Sequence, residues 1–359
     1  MSFIKLDIHH VRNIQHITLT PCPGINIILG ENASGKSSLL EAIFILGRAK
    51  SFRTPSIKSV IQQQHSQIIV TGQTQQPDGR IQQIGIQLDG KTIEIRINQQ
   101  SGQTRSDLAY ALPLQFIQPK SYELLDGSAK FRREFLDWGV FNDTPRFLPA
   151  WRNYKKALMQ RNFVLKTKRI EQLAVWNKEL INYGQLVNQY RMEYLAKFIP
   201  AFNSIIHCFV ELASLHIGFY TGWDADKSFE QVLTDDLEKD LRYGHTHSGP
   251  HRADLIVTIN NILAKDFVSR GQLKLLVLSL KLTQIQLLAS EHHNAACILI
   301  DDFAAELDVN NRVKVLNFLS SLACQVFVTA TDMADFGTFN QLEHCKMFHV
   351  EHGQLKAIN

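Results

Sequence analysis

Eight residues near the N-terminus, Gly30, Glu31, Asn32, Ala33, Ser34, Gly35, Lys36 and Ser37, fit the pattern G-x-x-x-x-G-K-[ST] without a mismatch. Their flanks constrain the fold as much as the motif does. Ile25 to Leu29 reads as a short buried strand, and Ser38 to Leu46 as the start of a helix with an apolar face. A strand, a glycine-bearing loop and a helix in that order wrap backbone N–H groups around phosphate oxygens, and the helix N-terminus adds partial positive charge. Lys36 is placed to reach the β- and γ-phosphates of a nucleotide, and the Ser37 hydroxyl to ligate Mg²⁺. A plain glycine-rich turn is the alternative, and it leaves the strand and helix unexplained.

Two segments far along the chain complete this chemistry. Cys297 to Ile300 is an apolar run that ends in Asp301 and Asp302. Two adjacent carboxylates after a buried strand carry an ionisation cost that Mg²⁺ would offset, although a solvated turn would also hold them. Asp301 is expected to hold Mg²⁺ through water, and Asp302 to orient or deprotonate an attacking water. Before them lies Ser269, Arg270, Gly271 and Gln272, a turn that opens a helix. A Ser-x-Gly-Gln turn followed by such an aspartate pair points to the ABC class of ATPase, in which serine and glycine lie on the nucleotide of a second subunit. Gln325 to Thr329 reads as another buried strand. The histidine that transporter ATPases place after it is missing at Ala330-Thr331.

The chain resembles the RecF family of bacterial ATPases, relatives of the heads of SMC (structural maintenance of chromosomes) proteins. The residues that carry the resemblance are Val11-Arg12-Asn13-Ile14, the phosphate loop, Phe131 to Trp138 (FRREFLDW), Ser248 to Leu255 (SGPHRADL), Ser269 to Leu276, and Ile300 to Phe303 running into Glu306-Leu307-Asp308. They span nearly the whole chain in the family's order. Ala33 stands where the family usually has Gly, and Val11 where it usually has Phe. The resemblance implies a nucleotide contact for Arg12 and places Ser269, Arg270, Gly271 and Gln272 against ATP. Asp302 is the catalytic carboxylate, where the class more often has Glu, so slow hydrolysis is expected. Gln118 is the candidate for the glutamine that positions water, with Gln115 as the other possibility. The segment His251-Arg252-Ala253-Asp254 is either a folding turn or a nucleotide-sensing loop.

The expected fold class is α/β, an ABC-type (SMC head-like) P-loop ATPase lobe with an inserted helical lobe. Residues 1–118 form the N-terminal part of the ATPase lobe, 119–244 the helical lobe, and 245–359 the C-terminal part with the signature and the aspartate pair. A hairpin is expected where Ile84, Ile86 and Leu88 face Ile93, Ile95 and Ile97 across Asp89-Gly90. The glutamines at 62–64, 73–76 and 99–103 read as polar loops. From about residue 119 to 240 the periodicity is helical. Leu173, Trp176, Leu180, Tyr183, Val187, Tyr190 and Tyr194 suit either a short antiparallel arm, where SMC proteins carry a long coiled coil, or packing inside a compact lobe.

The net charge of +4 names no partner, but its distribution is uneven. Residues 130–170 hold eleven basic residues against three acids, a net of +8, with Trp151 and Tyr154 interleaved. Residues 224–240 reverse the sign to −5. A solvated helix face explains either run. The density of the basic one favours a surface for DNA phosphates, with Arg132, Arg133, Lys155 and Lys156 as candidate contacts. No apolar run approaches 18 residues and no signal-peptide pattern opens the chain, so a cytoplasmic protein without a membrane span is expected. Five cysteines form no C-x-x-C pair, and the 14 histidines show no ligand spacing. His292-His293 reads as a surface helix end rather than a metal site.

The resemblance implies an ATP- and Mg²⁺-dependent homodimer that clamps DNA at gaps and single-strand/duplex junctions. It implies RecO and RecR as partners in recombinational repair, replication restart and SOS induction. A transporter-type ABC subunit, or a scaffold that binds nucleotide without hydrolysis, are the rival readings. The missing histidine and the basic insertion weigh against the first, and the intact Asp301-Asp302 pair against the second.

Overall fold

The structure, a computed structural model, describes residues 1–292, 296–305, 307–322, 324–336 and 345–358. The chain divides into two compact units, Met1–Ser121 with Leu278–Asn359, and Tyr122–Val277.

The first unit opens with β1 (Ser2–Val11), β2 (Ile14–Leu19), β3 (Ile25–Leu29) and α1 (Lys36–Arg48). There follow β4 (Ile68–Gln75), β5 (Ile81–Leu88), β6 (Ile93–Ile97), α2 (Arg105–Ala111) and β7 (Leu114–Ile117). An antiparallel sheet in the order β2-β1-β4-β5-β6 packs one face against α1. Leu6, Ile8, Val70, Ile84 and Ile86 are buried there with Leu39, Ile43 and Leu46 of the helix. The β5–β6 hairpin pairs Ile84 with Ile97, Ile86 with Ile95 and Leu88 with Ile93, in the expected register. Asp89 accepts the N–H groups of Lys91 and Thr92, which closes the turn.

Gln73 and Gln75 do not form a loop. They lie in β4, alternating with buried Gly72 and Thr74, because a strand with one wet face accepts a polar residue at every second position.

The second unit contains α3 (Glu123–Asp126), α4 (Ala129–Asp143), α5 (Phe147–Thr167), α6 (Leu173–Ile206) and β8 (Leu215–Tyr220). It continues through α7 (Phe229–Asp235), α8 (Leu237–Tyr243), β9 (Asp254–Ile259), β10 (Ile262–Leu263) and α9 (Ala264–Phe267). Leu173, Leu180, Val187 and Tyr194 are the buried stripe of α6, which packs along α5 and touches α4 and α7. The stripe thus lies inside a compact lobe. The helical stretch is interrupted by β8, which pairs with β9 in a small antiparallel sheet, order β10-β9-β8. That pairing keeps residues 254–259 with the second unit.

Helix α10 (Arg270–His292) leads back into the first unit. Within its segment Arg270–Ser290, an 18-residue window has a mean hydropathy of 1.3, long and apolar enough by composition to cross a membrane, but 67% of that window is buried within the chain. Residue-by-residue reading overlooks it because Lys274 and Lys281 interrupt the apolar run. Then come β11 (Cys297–Ile300), α11 (Val309–Ser321), β12 (Gln325–Ala330), β13 (Cys345–Glu351) and β14 (Gln354–Ile358). The second sheet of this unit has the order β14-β13-β3-β12-β11-β7, parallel from β13 to β7, with β14 antiparallel at the edge. Strands β3, β11 and β12 are buried along their whole length, as parallel strands covered on both faces are. The ends of these strands define where a ligand can sit.

Candidate nucleotide site

The phosphate loop joins β3 to α1, with Gly35 as the helix N-cap. Gly30 has φ +152, and a side chain there would collide with the Val350 carbonyl. Gly35 has φ +122, and its missing side chain leaves room for the Asn13 amide, which donates to the Ser34 carbonyl at 3.2 Å. Ala33 holds φ +65, a left-handed conformation that an L-residue adopts at a cost. The Lys36 ammonium donates to the carbonyls of Gly30 (2.7 Å) and Glu31 (2.8 Å), which folds it over the loop. Burial pushes its pKa down, partly offset by the negative charges of Asp302 and Asp301.

Parallel pairing of β3, β12, β11 and β7 brings the far segments to this loop. Ser37 donates from Oγ to Asp301 Oδ1 at 2.9 Å. Thr329, buried at the end of β12, donates to the same oxygen at 2.8 Å and accepts the Asp302 N–H at 2.9 Å. Asp302 itself is exposed, with φ +53. Thr329 is a site residue that the sequence marks only as a strand end. A hydroxyl and a carboxylate oxygen converging beside an ammonium are a hard-oxygen set that fits Mg²⁺. Ser37 and Asp301 would hold it, and it would neutralise charge on the phosphates.

Strand β7 lies beside β11, Ile117 opposite Ile300, and the Asp301 N–H donates to the Ile117 carbonyl at 2.9 Å. Gln118 therefore follows at the level of the aspartate pair, half-exposed, its N–H bound by Ser121 Oγ. Gln115 is buried in the strand, where its amide donates to Gln284. Of the two glutamines, only Gln118 stands at the strand ends.

Arg12, expected to contact nucleotide, is bound to residues of its own unit. Its guanidinium forms a two-point ion pair with buried Glu41 (2.9 and 3.0 Å) and donates to the Ser59 carbonyl at 2.7 Å.

In the second unit, Ser269 caps α10. Its Oγ accepts the Gln272 N–H at 3.3 Å, and Gln272 Oε1 accepts the Ser269 N–H at 3.0 Å, a reciprocal capping box. Residues 269–272 are exposed, and a Cβ on Gly271 would find nothing within 4 Å.

The candidate DNA contacts separate into two groups. Arg132 pairs with Asp254 through two bonds (2.7 and 2.9 Å) and donates to the Gly127 carbonyl, while Arg133 donates to the Ala253 carbonyl. Lys155 and Lys156 are exposed on α5, with the Lys155 ammonium 5.5 Å from the Trp151 ring centre. Arg161, counted in the same basic run, is fully buried against Asp240 of the acidic run. The two charge runs thus partly neutralise each other inside the unit. The His251–Asp254 segment is tied into its own unit by hydrogen bonds. His251 and Asp254 are bound to Tyr154 and Arg132, and the Pro250 carbonyl accepts from Arg191, which also pairs with Asp137. Glu306 and His293 lie outside the described residues.

A phosphate loop on β3, an aspartate pair on β11 and a Ser-x-Gly-Gln helix start define an ABC-type ATPase fold of the SMC-head kind. The family model "RecF/RecN/SMC N terminal domain" matches residues 2–355. Two relatives named DNA replication and repair protein RecF, from Stutzerimonas stutzeri and Azotobacter vinelandii, are 39% and 41% identical. They align over 100% and 99% of this chain, and over 98% of their own length in each case. The chain belongs to the RecF family. A solved structure of the recombination mediator protein RecF with ATP covers 100% of this chain and 98% of its own, with a TM-score of 0.88 at 24% identity. An Smc head bound to the C-winged helix domain of ScpA has a TM-score of 0.62 at 14% identity, over 100% of this chain and 97% of its own. At these identities the structural matches establish the fold.

Proposed function

We propose that this chain is an ATP-dependent DNA-binding protein of recombinational repair, acting also in replication restart and SOS induction. ATP, held by residues 30–37 with Mg²⁺ on Ser37 and Asp301, would drive two copies together into a clamp at DNA gaps and junctions. Ser269, Arg270, Gly271 and Gln272 of each copy would close on the nucleotide of the other. Slow hydrolysis, with Asp302 as base and Gln118 positioning water, would release the clamp. In this reading Met1–Ser121 with Leu278–Asn359 works as the ATPase lobe, and Tyr122–Val277 is a compact lobe inserted in its sequence, longer than the expected 119–244. DNA contact is to phosphates, because no helix among the described residues has the character of a base reader. Lys155 and Lys156 are the contacts left open by the geometry. RecO and RecR are the proposed partners, in the cytoplasm.

The observation that carries this reading is the exposed, pre-capped start of α10. Ser269 and Gln272 cap each other's N–H groups there, which fixes the helix start, and Gly271 leaves open space beside it where an anion could approach the positive end of the helix. The deciding experiment measures oligomeric state and binding to a gapped duplex in the same samples, with and without ATP and Mg²⁺. Dimers and tighter DNA binding should appear together and only with ATP. DNA binding by a monomer, unaffected by ATP, would overturn the clamp.

A further inference from the structure

We propose that Asp7, His9 and His16 form a binding site for a divalent transition metal, Zn²⁺ in the first place, on the open face of the β1–β2 hairpin. No spacing in the sequence announces it, because two strands supply the ligands. The antiparallel register sets His9 directly opposite His16 and Asp7 opposite Thr18. Asp7 Oδ1 lies 2.7 Å from His16 Nε2, and Asp7 Oδ2 lies 3.5 Å from His9 Nε2. The two imidazoles stack with centroids 4.3 Å apart. One ligand atom from each residue falls within 4.8 Å of the others.

Those distances are close to what coordination requires. Two ligand atoms each about 2.1 Å from a tetrahedral metal are about 3.4 Å apart. The two imidazoles are stacked 11° from parallel, so at least one ring must turn about its side-chain bonds for both nitrogens to face one ion. The backbone is well held, since β1 is hydrogen-bonded on both sides, to β2 and to β4. Its inward residues Leu6 and Ile8 are fully buried. Thr18 donates to Asp7 Oδ1 at 3.0 Å, the outer-sphere support a metal-bound carboxylate commonly has. Two imidazole nitrogens and one carboxylate, with no thiolate, select Zn²⁺ and its first-row neighbours over Mg²⁺ or Ca²⁺, which prefer all-oxygen sites. His16 is half-exposed, so solvent would complete the coordination.

A second histidine pair lies next to the first. His10 and His65 stack at 3.6 Å, and the His10 ring is 6.0 Å from that of His9. Consecutive residues of a regular strand point to opposite faces. The left-handed backbone at His10 (φ +59) departs from that rule. The hairpin also reaches the phosphate loop, because its turn residue Asn13 donates to the Ser34 carbonyl. A metal joining β1 to β2 would therefore stiffen the strand pair whose turn supports that loop.

The test is Zn²⁺ binding by calorimetry on the nucleotide-free full chain, with melting temperature followed in parallel. One Zn²⁺ per chain should bind and raise the melting temperature. His9→Ala and His16→Ala should each weaken binding by about tenfold or more, while a Cys208→Ser control and a His65→Ala variant should not. A 100-fold excess of Mg²⁺ should fail to compete. Metal-free melts of the variants, and a His16→Gln variant, separate lost ligands from lost folding. Absence of Zn²⁺ binding, or binding unchanged in both His9→Ala and His16→Ala, would overturn the site.

Discussion

Ser37 and Asp301, 264 residues apart, meet through a hydrogen bond of 2.9 Å. The parallel pairing of β3 with β12 and β12 with β11 produces this meeting, and it locates the nucleotide site at the ends of those strands. Lys36 is the cation of that site, folded onto the Gly30 and Glu31 carbonyls. Lys36→Ala removes the phosphate loop's side-chain cation and no core contact. ATP affinity should therefore collapse while the melting temperature of the nucleotide-free chain stays near that of the parent. Isothermal titration and thermal melts of one preparation give both numbers, and unchanged ATP affinity would remove Lys36 from its role.

Ala33 should respond in the opposite way. Its φ of +65 costs about 1 kcal/mol for a residue with a Cβ. Glycine relieves that strain but loses more entropy on folding, by roughly 0.5–1 kcal/mol. Ala33→Gly should thus leave stability within about 1 kcal/mol of the parent by denaturant titration. A loss of several kcal/mol would mean that the methyl group packs against something the loop needs.

The basic segment yields two different phenotypes. Lys155→Ala with Lys156→Ala should weaken binding on every DNA sequence and flatten the salt dependence by up to about 1.8 log units per log salt on duplex. Its fold should be intact, since both side chains are exposed. Arg132→Ala removes both guanidinium hydrogen bonds to the Asp254 carboxylate, in surroundings only a quarter open to solvent, and leaves only the nearby charge of Arg133. It should cost about 3 kcal/mol of stability. Equal salt slopes for the double variant and the parent would move the DNA surface elsewhere.

This division shows what local pattern can and cannot convey. The phosphate loop, the buried strands Ile25–Leu29 and Cys297–Ile300 and the β5–β6 hairpin are legible because each is encoded within about ten residues by glycine placement or apolar alternation. Charge density in residues 130–170 is equally visible, but the destination of each charge is not. Arg132 finds its partner 122 residues away, and Arg161 its partner 79 away. Strand β8 is hidden among helices because its partner β9 lies beyond them. Asp7, His9 and His16 escape notice for the same reason, as cross-strand register, not spacing, unites them.

Acid should destabilise the second unit through His251. The His251 Nε2–H donates to the Thr246 carbonyl at 3.1 Å, so Nδ1 is the acceptor for the Tyr154 hydroxyl at 2.6 Å, and the ring is neutral. Burial pushes its pKa down to about 4; the Thr246 bond opposes that shift, while Arg252, Lys155 and Arg133 add to it. In the unfolded chain the ring would titrate near 6.5. Between those values the unfolded state binds more protons, so stability is complete above about 6.5 and declines as pH falls towards 4. The contribution at stake is up to about 3 kcal/mol. His251→Gln should flatten that part of the stability–pH curve in urea titrations, and an unchanged curve would assign the acid sensitivity to other groups.

Ser269 supplies the sharpest test of the composite site. Its hydroxyl already caps α10, and residues 269–272 are exposed with open space at Gly271, so a bulky substitution meets nothing within its own unit. Ser269→Arg removes a cap, at a cost of about 1 kcal/mol, and should leave the chain folded. If Ser269 and Gly271 act on the nucleotide of a second copy, ATP binding by the monomer should be nearly unchanged. ATP-dependent dimerisation and hydrolysis should disappear together, because both need a site built from two chains. Arg270, beside the same turn, would add positive charge there, and phosphoryl transfer is sensitive to such charge. Mixing Ser269→Arg with Lys36→Ala chains should restore at most one competent site per heterodimer, since only one nucleotide then meets both an intact phosphate loop and an intact signature. Dimerisation by Ser269→Arg with ATP, or loss of monomer ATP binding in that variant, would show that Ser269 serves its own chain.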